Sequence, residues 1–373
     1  MATVAKVISD KSFFHGKAES IGVLLVNLGT PDEPTTASVR KYLAEFLADP
    51  RVVEIPRLAW LPILYGLILP KRPAKSAENY KKIWLDQGSP LLHYSQRQAD
   101  LLQQEIKSRI QGPVHIELAM RYGKPSIKTA LTTLKEKGVQ RLLVLPLYPQ
   151  YSATTTATSF DAINKVLKTW RWIPEMRYIM QYHDAPSYID ALAESVNTHW
   201  NKEGQNDVLL MSFHGLPKRN LDLGDPYFCQ CHKTGRLLAE KLGLQEGQWR
   251  LTFQSRFGKA EWLKPYTEST LKSLPKKGVK SVDVMCPGFP ADCLETLEEI
   301  NMENRGYFMA AGGEEYSYIP ALNDAPSHIN ALADLVQQHT QGWKEADPNW
   351  SDANQQTLGK LSVDLAKKKG AKL

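Results

Sequence analysis

Short apolar runs that stop abruptly at glycine and proline constrain the fold of this chain more than any other feature. The runs cover residues 22–28, 141–147, 208–213 and 282–286. Amphipathic helical patterns separate them, at residues 36–47, 127–137, 234–242 and 267–274. An apolar run without alternation is typical of a strand buried on both faces of a parallel sheet. Strands that alternate with helices in this way predict a doubly wound α/β fold.

The apolar runs also belong to an internal repeat. GVLLVNLGTP at 22–31 resembles DVLLMSFHGLP at 207–217, and RLLVLPLYPQYS at 141–152 resembles SVDVMCPGFPAD at 281–292. In each half the first run ends at a Gly-x-Pro turn, and the later run ends at a Pro-x-aromatic-Pro element. The repeat predicts two similar α/β domains that face each other across a cleft. Open α/β sheets bind ligands beyond the carboxyl ends of their strands, so we expect one small-molecule site there.

Composition and missing motifs argue against several functional classes. The 373 residues carry a net charge of +6 without a basic stripe interleaved with aromatics, so we expect no nucleic-acid partner. The sequence has no GxGxxG, P-loop, GxSxG or HExxH motif, which argues against a nucleotide ligand and against triad hydrolysis. The first 20 residues lack the apolar segment of a signal peptide. We therefore expect a flexible tail at 1–20 and a cytoplasmic protein.

The four cysteines are expected to be reduced in that compartment. They are Cys229, Cys231, Cys286 and Cys293. The C-x-C-H motif at 229–232 lacks a second Cys/His pair at zinc-finger spacing, so it is a weak metal motif. Whether Cys229 and Cys231 bind a metal stays open.

One apolar stretch, LAWLPILYGLIL at 58–69, allows two interpretations. It is too short to span a bilayer, which needs about 20 residues. It is either a buried core helix or an exposed lip that handles an apolar ligand or touches a membrane surface.

A histidine ends the third apolar run. His214 directly follows residues 208–213 and precedes a Gly-x-Pro turn. A lone histidine is more often structural, satisfied by one hydrogen bond. At a strand end that opens into a cleft, however, a neutral imidazole can accept a proton near neutral pH.

Acidic residues follow the fourth apolar run. Helical spacing of about 100° per residue predicts that Asp292, Glu295 and Glu299 share one helix face, with Glu298 to the side. A row of carboxylates at a strand-end cleft suits a divalent cation or proton transfer. The alternative is a helix N-terminus whose acidic residues only complement the macrodipole.

Six segments in one order carry a resemblance to a known family. They are NLGTPDEP, QGSPL, LPLYPQYSATTTATS, SFHGLP, TFQSRFGKAEWLKP and PGFPADCLETLEEI. From about residue 21 to residue 340 the chain resembles ferrochelatases. These enzymes are lyases that insert Fe²⁺ into protoporphyrin IX, releasing two protons and giving protohaem, in the final step of haem biosynthesis. The resemblance implies two Rossmann-like domains with parallel sheets and a porphyrin cleft between them.

The resemblance also implies roles for individual residues. The catalytic residues are expected to be His214 and Glu295. The metal-binding residues are expected to be His214, Glu295, Asp292 and Glu299. The expected substrate-binding residues are Leu28, Arg121, Tyr122, Tyr148, Ser152, Gln254, Ser255 and Phe289.

Two departures from the family pattern bear on metals. Cys293 stands where some relatives have a histidine, which puts a metal-passing role of that position in doubt. Ala153 stands where animal members have a cluster cysteine, and residues 341–373 contain no cysteine. We therefore expect Fe²⁺ only as substrate, with no tightly bound cofactor and no [2Fe-2S] cluster.

The resemblance further implies an organisation and a location. We expect an N-terminal domain at 21–165 with a hydrophobic lip at about 56–70, a C-terminal domain at 166–340 with His214 and the acidic helix, and a tail at 341–373. The lip implies peripheral contact with the inner face of the plasma membrane, and the upstream protoporphyrinogen oxidase is an expected partner. Alternatives are a chelatase for coproporphyrin III or another metal, and a non-catalytic haem carrier.

Overall fold

Two parallel sheets form the framework of the protein, which a computed structural model describes over residues 15–371. The strands are β1 (Ser20–Gly29), β2 (Val114–Tyr122), β3 (Val139–Pro146), β4 (Glu175–Tyr178), β5 (Val208–His214), β6 (Trp249–Gln254), β7 (Ser281–Met285) and β8 (Glu315–Tyr318). The first sheet has the order β2-β1-β3-β4, and the second has the order β6-β5-β7-β8. The identical order of the two sheets confirms the predicted α/β fold with two similar parallel-sheet halves.

The apolar runs form the central strands of both sheets. These strands are β1 and β3 in the first sheet and β5 and β7 in the second. A central strand has neighbours on both edges and helices on both faces, so nearly every side chain is buried and the sequence reads as a continuous apolar run. The edge strands carry no such run, because they are short or contain several polar residues. The sequence patterns therefore did not predict them.

Helices connect the strands and cover the sheets. The α-helices are α1 (Thr36–Leu47), α2 (Arg57–Ile63), α3 (Leu69–Ile83), α4 (Pro90–Arg109), α5 (Ile127–Glu136), α6 (Thr158–Leu167), α7 (Pro186–Glu203), α8 (Lys218–Asp222), α9 (Tyr227–Lys241), α10 (Thr267–Ser273), α11 (Arg305–Ala310), α12 (Pro326–Thr340) and α13 (Asp352–Lys368). Three π-helices cover Leu64–Ile68, Ala153–Ala157 and Glu295–Asn304, and two 3₁₀ turns cover Pro275–Lys277 and Lys344–Ala346. Thr35 caps α1 by accepting a hydrogen bond from the Ser38 N–H.

A shared inner core joins the two halves. One face of β1 and one face of β5 belong to the same buried cluster, together with side chains of α4, α7, α9 and α12. The opposite faces of the sheets pack on α5 and α6 in the first half and on α10 and α11 in the second. The carboxyl ends of the central strands therefore stay in fixed positions relative to each other.

The apolar stretch at 58–69 combines both predicted interpretations. Trp60, Leu64 and Leu69 are buried against α1 and α3. Leu58 is 95% exposed and Leu67 is 61% exposed, so the outer side of this segment is open to solvent. We call residues 56–70 the lip. In the part of the chain that the structure describes, no helix is both long and apolar enough to cross a membrane.

The structure differs from the predicted bounds of three segments. β4 pairs with β3, so the first sheet continues past the predicted domain boundary at residue 165. This strand of four residues, EMRY, has no apolar run that would predict it. The predicted tail at 341–373 contains α13, and the buried Glu345 before it pairs with Arg141 of the first sheet at 2.6 Å. Of the predicted tail at 1–20, residues 1–14 lie outside the described range, and Ser20 already starts β1.

Candidate active site

His214 is the last residue of β5, at the carboxyl edge of the second sheet. Its neighbour across the sheet is Gln254, the last residue of β6. The Nδ1 atom lies 2.6 Å from the carbonyl oxygen of Gly215. When Nδ1 donates to that carbonyl, Nε2 of the neutral ring keeps a lone pair that can accept a proton. The Phe289 ring, which follows β7, lies 6.4 Å from the imidazole between ring centroids.

The acidic segment differs from the predicted single helix face. The π-helix starts at Glu295, after Asp292, and its i→i+5 bonding changes the angular spacing of its side chains. Asp292 lies before the helix, so the prediction that it shares one helix face with Glu295 and Glu299 is wrong. The Asp292 carboxylate is 4% exposed and accepts hydrogen bonds from Thr296 Oγ1 at 2.9 Å, Tyr318 OH at 2.6 Å and Asn323 Nδ2 at 2.7 Å. It ties the start of the π-helix to the segment around β8.

Glu299 meets the end of β6. Its carboxylate accepts hydrogen bonds from the Ser255 N–H at 2.7 Å and from Ser255 Oγ at 2.5 Å. Burial raises the pKa of Glu299 to about 7, although the bonds from Ser255 act in the opposite direction. The carboxyl group can therefore gain or lose a proton near neutral pH. Ser255 has a φ of 62°, and a left-handed conformation in a non-glycine residue is often found at functional sites.

Glu295 lies between the two halves. Its carbonyl oxygen accepts a hydrogen bond from Gln254 Nε2 at 2.9 Å, which links the π-helix to the end of β6. Burial, and further the charge of Glu295, raise the pKa of Tyr80 on α3. Burial lowers the pKa of Arg72, also on α3, while the charge of Glu295 opposes that shift. Helix α3 of the first half thus faces the Glu295 carboxylate of the second half.

Two residues that sequence patterns did not predict face this region. The Arg72 guanidinium lies 4.5 Å above the ring centre of Phe257, which follows β6, and so bridges the two halves. Arg72 stands in the basic segment directly after the lip, and that change from apolar to basic residues was the only signal in the sequence. Lys82 of α3 forms an ion pair with Glu298 of the π-helix at 2.7 Å, a second link between the halves.

Arg121 and Tyr122 end β2 and share a buried partner that the sequence did not predict. The carboxylate of Asp49 accepts hydrogen bonds from Arg121 Nη2 and, at 2.9 Å, from the Tyr122 hydroxyl. Tyr122 is only 1% exposed. Its side chain is therefore enclosed by the protein, next to Arg121.

The other predicted substrate-binding residues lie at or near strand ends. Leu28 packs beside Tyr122 and the lip, and burial raises the pKa of Tyr148 after β3. Ser152 caps the π-helix Ala153–Ala157 and donates a hydrogen bond to Asp225 at 3.0 Å, so its hydroxyl already serves contacts within the protein. Gln254 and Ser255 bind the π-helix Glu295–Asn304, as described above.

The predicted metal-binding residues do not form a closed cage. Within residues 15–371, the structure brings together no group of three or more His, Cys, Asp or Glu side chains that could hold a metal ion. Cys229 and Cys231 lie on α9, where the first is exposed and the second is buried.

Comparison with known proteins decides the family. The family model of ferrochelatases matches residues 20–340. The ferrochelatase of Thioalkalivibrio sulfidiphilus is 55% identical over 363 residues, which are 97% of this chain and 98% of that protein. The chain belongs to the ferrochelatase family. The ferrochelatase of Nitrosococcus oceani is 57% identical over 333 residues, which are 89% of this chain and 90% of that protein.

Membership of the ferrochelatase family confirms the predicted lyase activity in haem synthesis, with Fe²⁺ as a substrate. The fold has a more distant likeness. SirB from Bacillus subtilis with Fe³⁺ has a TM-score of 0.53 at 13% identity, covering 88% of this chain and 100% of that one. At this identity the likeness supports the chelatase fold alone. The predicted absence of a [2Fe-2S] cluster stays a prediction.

Proposed function

We propose that protoporphyrin IX binds between the carboxyl edges of the two sheets and that Fe²⁺ is inserted there by His214, Glu295 and Glu299. One observation carries the proposal. The adjacent ends of β5 and β6 bring His214 beside Gln254, and Gln254 with Ser255 binds the π-helix that carries Glu295 and Glu299. A proton acceptor and two carboxylates are therefore fixed to one strand end.

Metallation requires the release of two pyrrole protons as the four ring nitrogens bind Fe²⁺. Nε2 of His214 is placed to accept one proton at a time when Nδ1 donates to the Gly215 carbonyl. Glu299 has a pKa of about 7, so it can pass protons toward solvent at neutral pH. Glu295 supplies a carboxylate that can replace water on the incoming cation.

We propose a structural role for Asp292 in place of the predicted metal contact. Its carboxylate accepts three hydrogen bonds from Thr296, Tyr318 and Asn323, which satisfy most of its acceptor capacity. Binding Fe²⁺ there would break these bonds in a buried site. The role of Asp292 is to fix the first turn of the π-helix.

Apolar contacts with the macrocycle are assigned to Leu28 and Phe289. Both are partly buried at the carboxyl ends of strands: Leu28 is the second-last residue of β1, and Phe289 follows β7. The Arg72 guanidinium has an aromatic contact with Phe257 and a longer-range attraction to Glu295, so it offers donors to a carboxylate of the substrate.

We also propose peripheral attachment to an anionic membrane surface through the lip. Leu58, Tyr65 and Leu67 are exposed, and Arg57 and Lys71 flank them. Apolar side chains bordered by basic ones fit the interface of an anionic bilayer. The inner face of the plasma membrane and an upstream protoporphyrinogen oxidase as porphyrin donor belong to this proposal.

The division into domains is proposed at the segment between β4 and α7, since β4 is the last strand of the first sheet. The C-terminal half then runs from α7 to α12. The segment after α12 returns to the first half through Glu345 and Arg141.

Loss of protoporphyrin IX fluorescence with Fe²⁺ under anaerobic conditions tests the proposed site. We expect rapid loss with the wild type and at least a hundredfold slower loss with His214→Ala and Glu295→Gln. Ser273→Ala, which removes a hydroxyl of α10 bonded to the Thr270 carbonyl, is the control and should match the wild type.

Three outcomes contradict parts of this proposal. Full activity of either variant would mean that the substituted residue is not needed for metallation. If the wild type binds protoporphyrin IX without metallating it but metallates coproporphyrin III, then coproporphyrin III is the substrate. Binding of both porphyrins without metallation of either indicates a carrier.

A further inference from the structure

Asp49 is a buried carboxylate two residues beyond the end of α1. Its Oδ2 atom accepts hydrogen bonds from Arg121 Nη2, from the Tyr122 hydroxyl at 2.9 Å and from Thr158 Oγ1 at 2.5 Å. Its Oδ1 atom accepts one from the Arg51 N–H at 2.8 Å. One side chain therefore joins the end of α1, the end of β2 and the start of α6.

Arg121 is held on three sides by this arrangement. Its Nε donates to the Thr158 carbonyl at 3.0 Å and to Thr158 Oγ1 at 2.6 Å. Its guanidinium carbon lies 4.4 Å from the centre of the Tyr122 ring. Removing one partner of a buried charge pair leaves the other uncompensated, so the pair resists separation.

The charge on Asp49 persists at neutral pH. Burial acts to raise its pKa, but the hydrogen bonds from Thr158, from the Arg51 N–H and from Tyr122, together with the charge of Arg121, hold it below the ordinary value. The ion pair with Arg121 therefore stays intact over the physiological range.

Arg121 is also partly open to solvent. Its side chain is 17% exposed although Asp49 and Tyr122 are buried behind it. Its charge acts on Tyr148, which follows β3 at the same carboxyl edge of the sheet. Among Asp49, Tyr122 and Arg121, only Arg121 is exposed enough to contact a ligand.

We infer that Asp49 is a positioning residue, which holds Arg121 at the cleft wall in the orientation in which it contacts the macrocycle. This inference rests on the proposed function, because it takes the cleft to be the porphyrin site. Asp49 already compensates the charge of Arg121. Arg121 therefore orients the ring through directed donors and its planar surface, and contributes little to long-range attraction of the substrate carboxylates.

The test compares Asp49→Asn with Asp161→Asn. The first change keeps the shape of the side chain and removes its charge. The second removes the charge of an exposed carboxylate that pairs with Arg51, next to the same network but without contact to Arg121. We expect kcat/KM for protoporphyrin IX to fall about tenfold or more in Asp49→Asn and to change less than about twofold in Asp161→Asn.

A double-mutant cycle separates positioning from a general structural role. If Asp49 acts through Arg121, Asp49→Asn lowers kcat/KM by less than about twofold in an Arg121→Leu background. The same fold-loss in both backgrounds overturns the inference, and so does a normal kcat/KM in an Asp49→Asn protein with a lowered Tm. The loss should also be equal at low and high salt, since charge attraction is not its cause.

A second pair of variants keeps the inference testable if Asp49→Asn does not fold. Thr158→Val removes the hydroxyl that bonds both Asp49 and Arg121, whereas Thr158→Ser keeps it. We expect a severalfold loss of kcat/KM in the first variant and recovery in the second, and equal activities would overturn the inference. A wild type inactive on protoporphyrin IX refutes the proposed function. An active wild type with unaffected variants refutes only the positioning role.

Discussion

Ser255 donates two hydrogen bonds to the carboxylate of Glu299, one from its N–H at 2.7 Å and one from its Oγ at 2.5 Å. The backbone of Ser255 adopts a left-handed conformation with a φ of 62° to make this contact. The strain is offset by bonds to a buried acid whose pKa lies near 7. The end of β6 therefore sets both the position and the protonation of this carboxyl group.

Ser255→Ala tests the protonation of Glu299. Loss of the Oγ donor destabilises the carboxylate, so the pKa of Glu299 should rise further. A charge-assisted hydrogen bond is worth about 1.5–3 kcal/mol, so the limb of the pH–rate profile that reports Glu299 should move alkaline by about 1–2 units. Ser273→Ala is the control. An unchanged pH–rate profile would mean that the protonation of Glu299 does not control the rate.

Glu299→Gln tests the same carboxyl group through stability. In the folded protein Glu299 keeps its proton up to about pH 7, whereas in an unfolded chain a glutamate loses its proton near pH 4.5. Between these values the folded state binds more protons, so the free energy of unfolding falls as the pH rises.

The glutamine of Glu299→Gln cannot ionise, so this contribution to the fall in the free energy of unfolding with rising pH is missing. Its stability relative to the wild type should therefore increase by about 1–3 kcal/mol between pH 4.5 and pH 7.5. Urea unfolding at both pH values measures the difference. Parallel pH dependence of the two proteins would mean that Glu299 has an ordinary pKa.

Gly215→Ala tests the strand end that presents His214. A Cβ atom at this position would lie 2.6 Å from the carbonyl oxygen of Gln254, which accepts the Gly215 N–H at 2.8 Å. We expect a loss of about 1–3 kcal/mol in the free energy of unfolding and at least a tenfold loss of kcat.

Gly306→Ala is the matched control, because a Cβ there meets no atom within 4 Å in helix α11. It should stabilise the protein by about 0.5–1 kcal/mol. Equal effects of the two substitutions would contradict the close fit at Gly215.

Leu58→Glu combined with Leu67→Glu tests the lip. Both side chains are exposed, so stability should change by less than about 0.5 kcal/mol. Binding to vesicles that contain phosphatidylglycerol should fall at least tenfold, because apolar burial and charge attraction both weaken. Sedimentation with the vesicles measures the bound fraction.

The matched control changes Leu358 and Leu361 to Glu. These exposed leucines lie on α13, which packs against Gly16 near the amino end of β1, away from the strand ends that the lip covers. Vesicle binding should be unchanged. If both double variants lose vesicle binding equally, membrane contact depends on exposed apolar residues in general and not on the lip.

The central strands could be predicted from the sequence because burial on both faces leaves a continuous apolar run. The four-residue strand β4 could not, since its pairing with β3 is a contact between distant segments. The repeat also extends to the helices that follow β4 and β8. DAPSYIDALA at 184–193 and DAPSHINALA at 324–333 start the equivalent helices α7 and α12.

The site was predictable in part for a similar reason. His214 lies at the end of a recognisable strand, and turn residues mark its position. The single-face prediction failed for Asp292 because this residue lies before the helix begins, so helical spacing does not apply to it. Asp49 gave no local signal, since its partner Arg121 lies 72 positions away.

The shared inner core limits how the cleft can admit a flat macrocycle. A clamshell motion would pull β1 and β5 apart and wet the cluster that both strands bury. The lip rests on a separate, smaller cluster with α1 and α3. Rearrangement of the lip should therefore limit the rates at which porphyrin enters and haem leaves. The two halves should keep their spacing throughout turnover.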